Sequence, residues 1–113
     1  MIVATAGLAL VLAASPGPAR LQATADEFSL VLSRTRLKAG PALVELVNFG
    51  EDDHDLRLRR VGPKTTRTWR IPVVHPGDRD ELQAVLRSGT FRVWCAVADH
   101  RKLGMRATLV VVP

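Results

Sequence analysis

From residue 28 onward the chain alternates inward and outward side chains with a period of two. Phe28, Leu30 and Leu32 alternate with Ser29, Val31 and Ser33. His54, Leu56 and Leu58 share one face, with Asp55, Arg57 and Arg59 on the other. Phe91, Val93 and Cys95 lie opposite Arg92, Trp94 and Ala96, and Met105, Ala107, Leu109 and Val111 lie opposite Arg106 and Thr108. This period belongs to half-buried strands, and β-branched residues enrich the last of them. Residues 43–47 and 80–86 read as further strands. The breaks at Lys38-Ala39-Gly40-Pro41, Pro76-Gly77-Asp78 and Ser88-Gly89-Thr90 are turn chemistry. Residues 61–74, with Trp69 and two prolines, read as irregular, with room for a short helix or an edge strand. Short strands separated by Gly/Pro turns predict an all-β, Greek-key β-sandwich.

Residues 1–25 do not share this pattern. Residues 2–14 form an apolar run, too short for a comfortable membrane span and matched to the apolar region of a signal peptide. Ala23-Thr24-Ala25 supplies an A-x-A cleavage pattern, although no Lys or Arg precedes the run. The expectation is a signal peptide or N-terminal anchor over 1–25, lying outside the fold, and one domain over 26–113. Left uncleaved, residues 2–14 would serve as a membrane tether.

Composition narrows the class. With 113 residues there is room for a single domain, and 47% hydrophobic with 24% charged residues is ordinary for a globular one. A domain this small often gains stability from a bound metal. One cysteine rules out an intramolecular disulfide. The formal charge of +5 raises the question of nucleic acid. The arginines are scattered over outward strand positions, aromatics are only 4%, and no recognition motif occurs, so no nucleic-acid partner is expected.

The chemistry concentrates in residues 91–105, FRVWCAVADHRKLGM. Cys95 is followed five residues later by His100 and five beyond that by Met105. A thiolate, an imidazole and a thioether on one loop are soft donors of the kind copper favours, and a blue-copper site adds a second imidazole. His54, at the start of an inward-facing row, can supply it. Cys95 ends one such row and Met105 begins another, so all three would meet at one end of the sandwich, with His100 on the bridging loop. His75, beside Pro76 in a turn, reads as exposed. Zinc is a poorer fit because methionine is a poor zinc ligand. No Ser/His/Asp set or carboxylate pair stands out, and the chain is not expected to be an enzyme.

Two stretches carry a resemblance. The run N-x-G-x-x-x-H-D-L at Asn48 to Leu56, and the closing F-R-V-W-C-x4-H-x4-M, make residues 27–112 similar to the small blue-copper proteins, the cupredoxins of plastocyanin, azurin and rusticyanin type. Carried across by position, the resemblance implies His54, Cys95, His100 and Met105 as ligands of one type 1 copper. The family often has Pro-Gly before the second histidine, where this chain has Ala98-Asp99, and Asn after the first, where it has Asp55.

The resemblance further implies a monomeric one-electron carrier, periplasmic or secreted, with Cys95 and a near-surface His100 as the electron route. It would dock transiently with a redox protein partner, a cytochrome or an oxidase-like protein. The alternative is a copper storage, delivery or resistance protein without a redox circuit. Glu51, Asp52, Asp53 and Asp55 around His54, and Arg101 and Lys102 after His100, would give the copper end a mixed charge.

Overall fold

The computed structural model describes residues 2–9, 17–62, 64 and 67–113. In chain order the strands are β1 (Ala19–Asp26), β2 (Ser29–Leu32), β3 (Arg36–Lys38), β4 (Gly40–Asn48), β5 (His54–Arg60), β6 (Thr68–Val74), β7 (Arg79–Leu86), β8 (Gly89–Trp94) and β9 (Arg106–Val112). A short helix, α1 (His100–Leu103), separates β8 from β9. One sheet runs β2–β1–β4–β7 and the other β3–β9–β8–β5–β6. The pairs β1–β4 and β3–β9 are parallel and the rest antiparallel. The result is a β-sandwich of two mixed sheets, as the alternation predicts.

The inward rows close the core. Leu21, Ala23, Val44, Leu46 and Leu86 come from one sheet, and Leu56, Leu58, Phe91, Val93 and Leu109 from the other. In the second sheet Leu58 pairs with Val93 and Phe91 with Leu109. Truncating a buried leucine such as Leu58 to alanine costs about 2–5 kcal/mol, because transfer energy is lost and a cavity remains.

The boundary at residue 25 needs correction. Residues 19–25 form most of β1, and Leu21, Ala23 and Ala25 are buried in the core. The A-x-A triplet is therefore a strand with small side chains facing inward, and the folded domain extends back to Ala19. The physical reason is parallel pairing with β4, from Ala19↔Ala42 to Ala25↔Asn48. Of the apolar run 2–14, residues 10–14 lie outside the described residues, while 2–9 are exposed and have no regular secondary structure. Among the described residues no helix is long and apolar enough to cross a membrane.

Three smaller departures follow from packing. Of the options open for residues 61–74, 68–74 take the edge strand, and a register shift against β5 between His54 and Leu56 lets both Ile71 and Val74 face inward. Pro72 is tolerated there since β6 lies at a sheet edge, where a missing N–H breaks no ladder. Phe28 is outside β2, in the β1–β2 turn, and is 37% exposed rather than inward. The turn of helix at His100–Leu103 has no periodic signal of its own.

Topology gathers the chemistry at one pole. β1 and β4 run parallel and both end there, at Asp26 and Asn48. β5 starts there with His54, β8 ends one residue before Cys95, and β9 starts one residue after Met105.

Candidate metal centre

The β4–β5 connection is built around Asn48. Its side-chain amide donates to the carbonyls of Asp52, at 2.8 Å, and Val74, at 2.9 Å. Its Oδ1 accepts from the Gly50 N–H at 2.8 Å. A fully buried amide satisfied in this way fixes the loop, and the loop delivers His54 to the start of β5. Gly50 has a separate reason to be glycine, since a Cβ there would collide with the Glu27 carboxylate.

The second connection, from Cys95 to Met105, closes on itself. The Cys95 N–H donates to the Met105 carbonyl at 3.1 Å, and the Met105 N–H donates to the His100 carbonyl at 3.1 Å. The His100 N–H donates to the Val97 carbonyl at 3.0 Å. Gly104 turns the chain out of α1 with φ 129°, and a Cβ there would lie 3.0 Å from the Phe28 carbonyl oxygen. Ala98 takes φ 44°, a left-handed conformation that glycine adopts more easily.

These two loops bring three donor atoms together. His54 Nδ1 and His100 Nδ1 are 3.2 Å apart, and Cys95 Sγ lies 3.9 Å from the first and 3.7 Å from the second. All three residues are buried, and they are the cluster of metal-ligating side chains among the described residues. Met105, tied by its backbone to both Cys95 and His100, is fully buried at the same pole. The structure thus brings His54, Cys95 and His100 into contact and sets Met105 beside them. His75 stays apart, exposed and paired with Asp53 at 2.8 Å.

The spacing fits a cation. Metal–imidazole bonds of about 2.0 Å and metal–thiolate bonds of about 2.3 Å in a trigonal plane require N–N and N–S separations of roughly 3.5 and 3.7 Å. The outer ring nitrogens meet carboxylates: His54 Nε2 lies 3.1 Å from Glu27 Oε1, and His100 Nε2 lies 3.4 Å from Asp52 Oδ2. An imidazole donating from Nε2 leaves its Nδ1 lone pair free. With both imidazoles in that form, the two Nδ1 atoms 3.2 Å apart, beside a sulfur, would make an electron-rich hollow that a soft cation relieves. A thioether joining the set from Met105 would suit copper better than zinc.

Electrostatics sharpen the picture. Burial pushes the Cys95 thiol up, opposed by backbone N–H donors of which Asp55 is the largest. The Asp55 N–H reaches Cys95 Sγ at 3.5 Å, while the Asp55 carboxylate accepts from the Ala96 N–H at 2.6 Å. A buried thiol of raised pKa is an inert nucleophile, and metal binding is the event that would deprotonate it. Glu27 behaves oppositely: backbone N–H groups of Asp52 and Glu51, with a smaller contribution from His54, hold its carboxyl down to about 2. The His100 ring is only 6% exposed, less than a near-surface electron port suggests, because Phe28 packs on it at a centroid distance of 4.9 Å.

Glu27 and Phe28 are therefore parts of the site that the sequence pattern does not single out, and Asp52, expected near His54 as part of an acidic loop, meets His100 instead. Asn48 and Gly50 lie in the N-x-G motif and Asp55 follows His54, so these had a local signal. Glu27 lies 27 residues from the histidine it touches and had none.

Compared with solved structures, the chain has the cupredoxin fold. It is similar to a dithionite-reduced auracyanin from the photosynthetic bacterium Roseiflexus castenholzii, at 15% identity, TM-score 0.69, and coverage of 83% of this chain and 97% of that one. It is similar also to auracyanin A, a "blue" copper protein from the green thermophilic photosynthetic bacterium Chloroflexus aurantiacus, at 18% identity, TM-score 0.68, and coverage of 85% and 100%. A multicopper oxidase aligns with 87% of this chain but only 45% of its own length, at 14% identity and TM-score 0.65. At these identities the likeness is one of fold. The sequence matches no protein-family model and no curated protein.

Proposed function

We propose that the protein is a type 1 (blue) copper protein acting outside the cytoplasm as a small, monomeric one-electron carrier, and not an enzyme. The observation that carries this reading is the convergence of His54 Nδ1, His100 Nδ1 and Cys95 Sγ within 3.9 Å in a buried pole that also holds Met105. When bound, copper supplies one-electron exchange between Cu(I) and Cu(II) on a donor set of two imidazoles, a thiolate and a weak thioether.

The chain's own contribution is rigidity and insulation. Asn48 pins the loop before His54, and the backbone bonds among Cys95, His100 and Met105 hold the second loop. Donors held this firmly rearrange little between charge states. The thiolate of Cys95 and the ring of His100 are the route by which an electron leaves. Phe28, Phe49 and Leu103, exposed side chains on the β1–β2 turn, the β4–β5 loop and α1 at this pole, give a redox protein partner an apolar docking surface. Arg101 and Lys102 on one loop, with Glu51, Asp52 and Asp53 on the other, would orient that partner by charge.

The start of β1 lies at the other pole, seven residue steps or roughly 23 Å along the strand from its site end. A tether through residues 2–14 would leave from there, with the copper end turned away from the membrane.

The test is the visible spectrum of residues 17–113 with one equivalent of Cu(II). The expected result is an intense thiolate-to-copper band that ascorbate bleaches and an oxidant restores. A colourless protein that still binds copper would point to storage or delivery instead. No copper uptake would overturn the reading.

A further inference from the structure

We infer that Glu27 and Asp52 act together as a carboxylate clamp on the two histidines, fixing both imidazoles as Nε2–H tautomers and strengthening both Nδ1 atoms as donors to the bound cation. Its consequence for copper rests on the function proposed above, while the clamp itself is a property of the metal-free chain.

The geometry is reciprocal. Glu27 comes from the β1–β2 turn, and its Oε1 lies 3.1 Å from His54 Nε2. The same carboxylate accepts the Glu51 N–H, at 2.9 and 3.0 Å, and the Asp52 N–H, at 2.7 Å. Two backbone donors therefore hold the carboxylate in place, and it cannot swing away from the imidazole without leaving them unpaired. Asp52 is in both arms. Its N–H orients Glu27, and its own Oδ2 lies 3.4 Å from His100 Nε2. The second arm is the looser one, because the contact is longer and the Asp52 side chain is half exposed.

Two further observations indicate a purpose-shaped site rather than an incidental contact. Gly50 lies where any Cβ would drive the Glu27 carboxylate out. Both histidines point their opposite nitrogens at each other across 3.2 Å, a distance that one Nδ1–H could also bridge, so it is the carboxylates at each Nε2 that draw both protons outward. With the proton on each Nε2 facing a carboxylate, both Nδ1 lone pairs are directed inward beside Cys95 Sγ. A carboxylate behind a ligating imidazole raises its basicity, and loss of such a partner typically costs 10–100-fold in metal affinity. Extra donor strength favours the more highly charged metal ion. The clamp should therefore favour Cu(II) over Cu(I).

The experiment uses Glu27→Gln, Gly50→Ala and Asp52→Asn, with Asp53→Asn in the same loop as control. In metal-free protein, 15N-correlated NMR of the imidazoles should give Nε2–H for both His54 and His100. Glu27→Gln and Gly50→Ala should shift the His54 tautomer while backbone spectra show the fold intact, and Asp52→Asn should affect His100. Competition titrations should then show Cu(II) affinity of Glu27→Gln lowered about 10–100-fold. Its Cu(I) affinity should change much less. A tenfold change in that ratio is a 59 mV rise in potential. Asp53→Asn should match wild type in every readout.

Wild-type His54 protonated on Nδ1 would overturn the clamp. So would Glu27→Gln with a wild-type tautomer and affinity ratio but a lowered melting temperature, which would make Glu27 a structural tie alone. If wild type takes up no copper, the function proposed above fails, and the tautomers still decide the clamp.

Discussion

Asp55 and Cys95 are joined across two strands by complementary bonds. The Asp55 backbone donates to the Cys95 sulfur at 3.5 Å, and the Asp55 carboxylate accepts the N–H of the next residue, Ala96, at 2.6 Å. Asp55 is 6% exposed, so the carboxylate is part of the scaffold that holds the thiol. Asp55→Ala leaves a partly buried N–H without its acceptor and should destabilise the metal-free protein by about 1–3 kcal/mol in urea unfolding. Asp55→Asn retains an acceptor oxygen and should cost less. Equal losses for the two variants would show that the charge, rather than the hydrogen bond, is what the site uses.

The donor assignment gives paired expectations. Cys95→Ser should abolish the intense visible band of the copper-loaded protein, and survival of the band would remove Cys95 from the centre. Met105→Leu should keep copper and raise the potential, since a weak donor to Cu(II) is lost. Cyclic voltammetry reads this directly, and an unchanged potential would place Met105 in the core only. His75→Ala should leave copper affinity unchanged.

The return from α1 depends on Gly104. With φ 129° and the Phe28 carbonyl 3.0 Å from any added Cβ, Gly104→Ala should cost on the order of 1–3 kcal/mol. The reverse logic applies at Ala98, whose φ of 44° glycine adopts freely. Ala98→Gly should be neutral or stabilising by up to about 1 kcal/mol. Thermal unfolding of the two variants side by side checks the pair.

The fold boundary can be tested by truncation. A chain starting at residue 17 should fold, whereas one starting at Asp26 loses β1 with Leu21, Ala23 and Ala25 and should not. Near-ultraviolet circular dichroism distinguishes them. A folded 26–113 fragment would mean that β4 does not need its parallel neighbour.

His75 titrates away from the donor cluster. Its pKa is raised above 6.5 by the hydrogen bond to Asp53 and by the charge of that carboxylate. A raised folded pKa means that the pair's stabilisation is fully present below the unfolded value and is lost as pH climbs through the folded one. An NMR titration should place the His75 midpoint above 6.5, and Asp53→Asn should bring it down. Because the pair is exposed, its effect on overall stability should be small.

How much was legible in the chain follows from the range of each interaction. Alternation with period two placed Leu56, Leu58, Phe91, Val93 and Leu109 inward, because a strand's side-chain direction is a local property of two successive residues. The same rule set His54, Cys95 and Met105 at strand ends, and the chemistry of a soft donor set drew them into one candidate centre. Residues 19–25 escaped it. Their small alanines, directly after an apolar run, satisfy a cleavage pattern as well as a strand, and only parallel pairing with β4 decides between them. Glu27 escaped it too, as did the pairing of Asp52 with His100 rather than His54. An acidic residue in a turn has no periodicity to mark it, and what brings Glu27 beneath His54 is the register Ala25↔Asn48 between strands distant in sequence. Local pattern and donor chemistry, written in the sequence, determined the sandwich and the candidate ligands. The tertiary structure alone decided where the domain begins and which carboxylates stand behind the histidines, because both depend on contacts between segments that no local pattern connects.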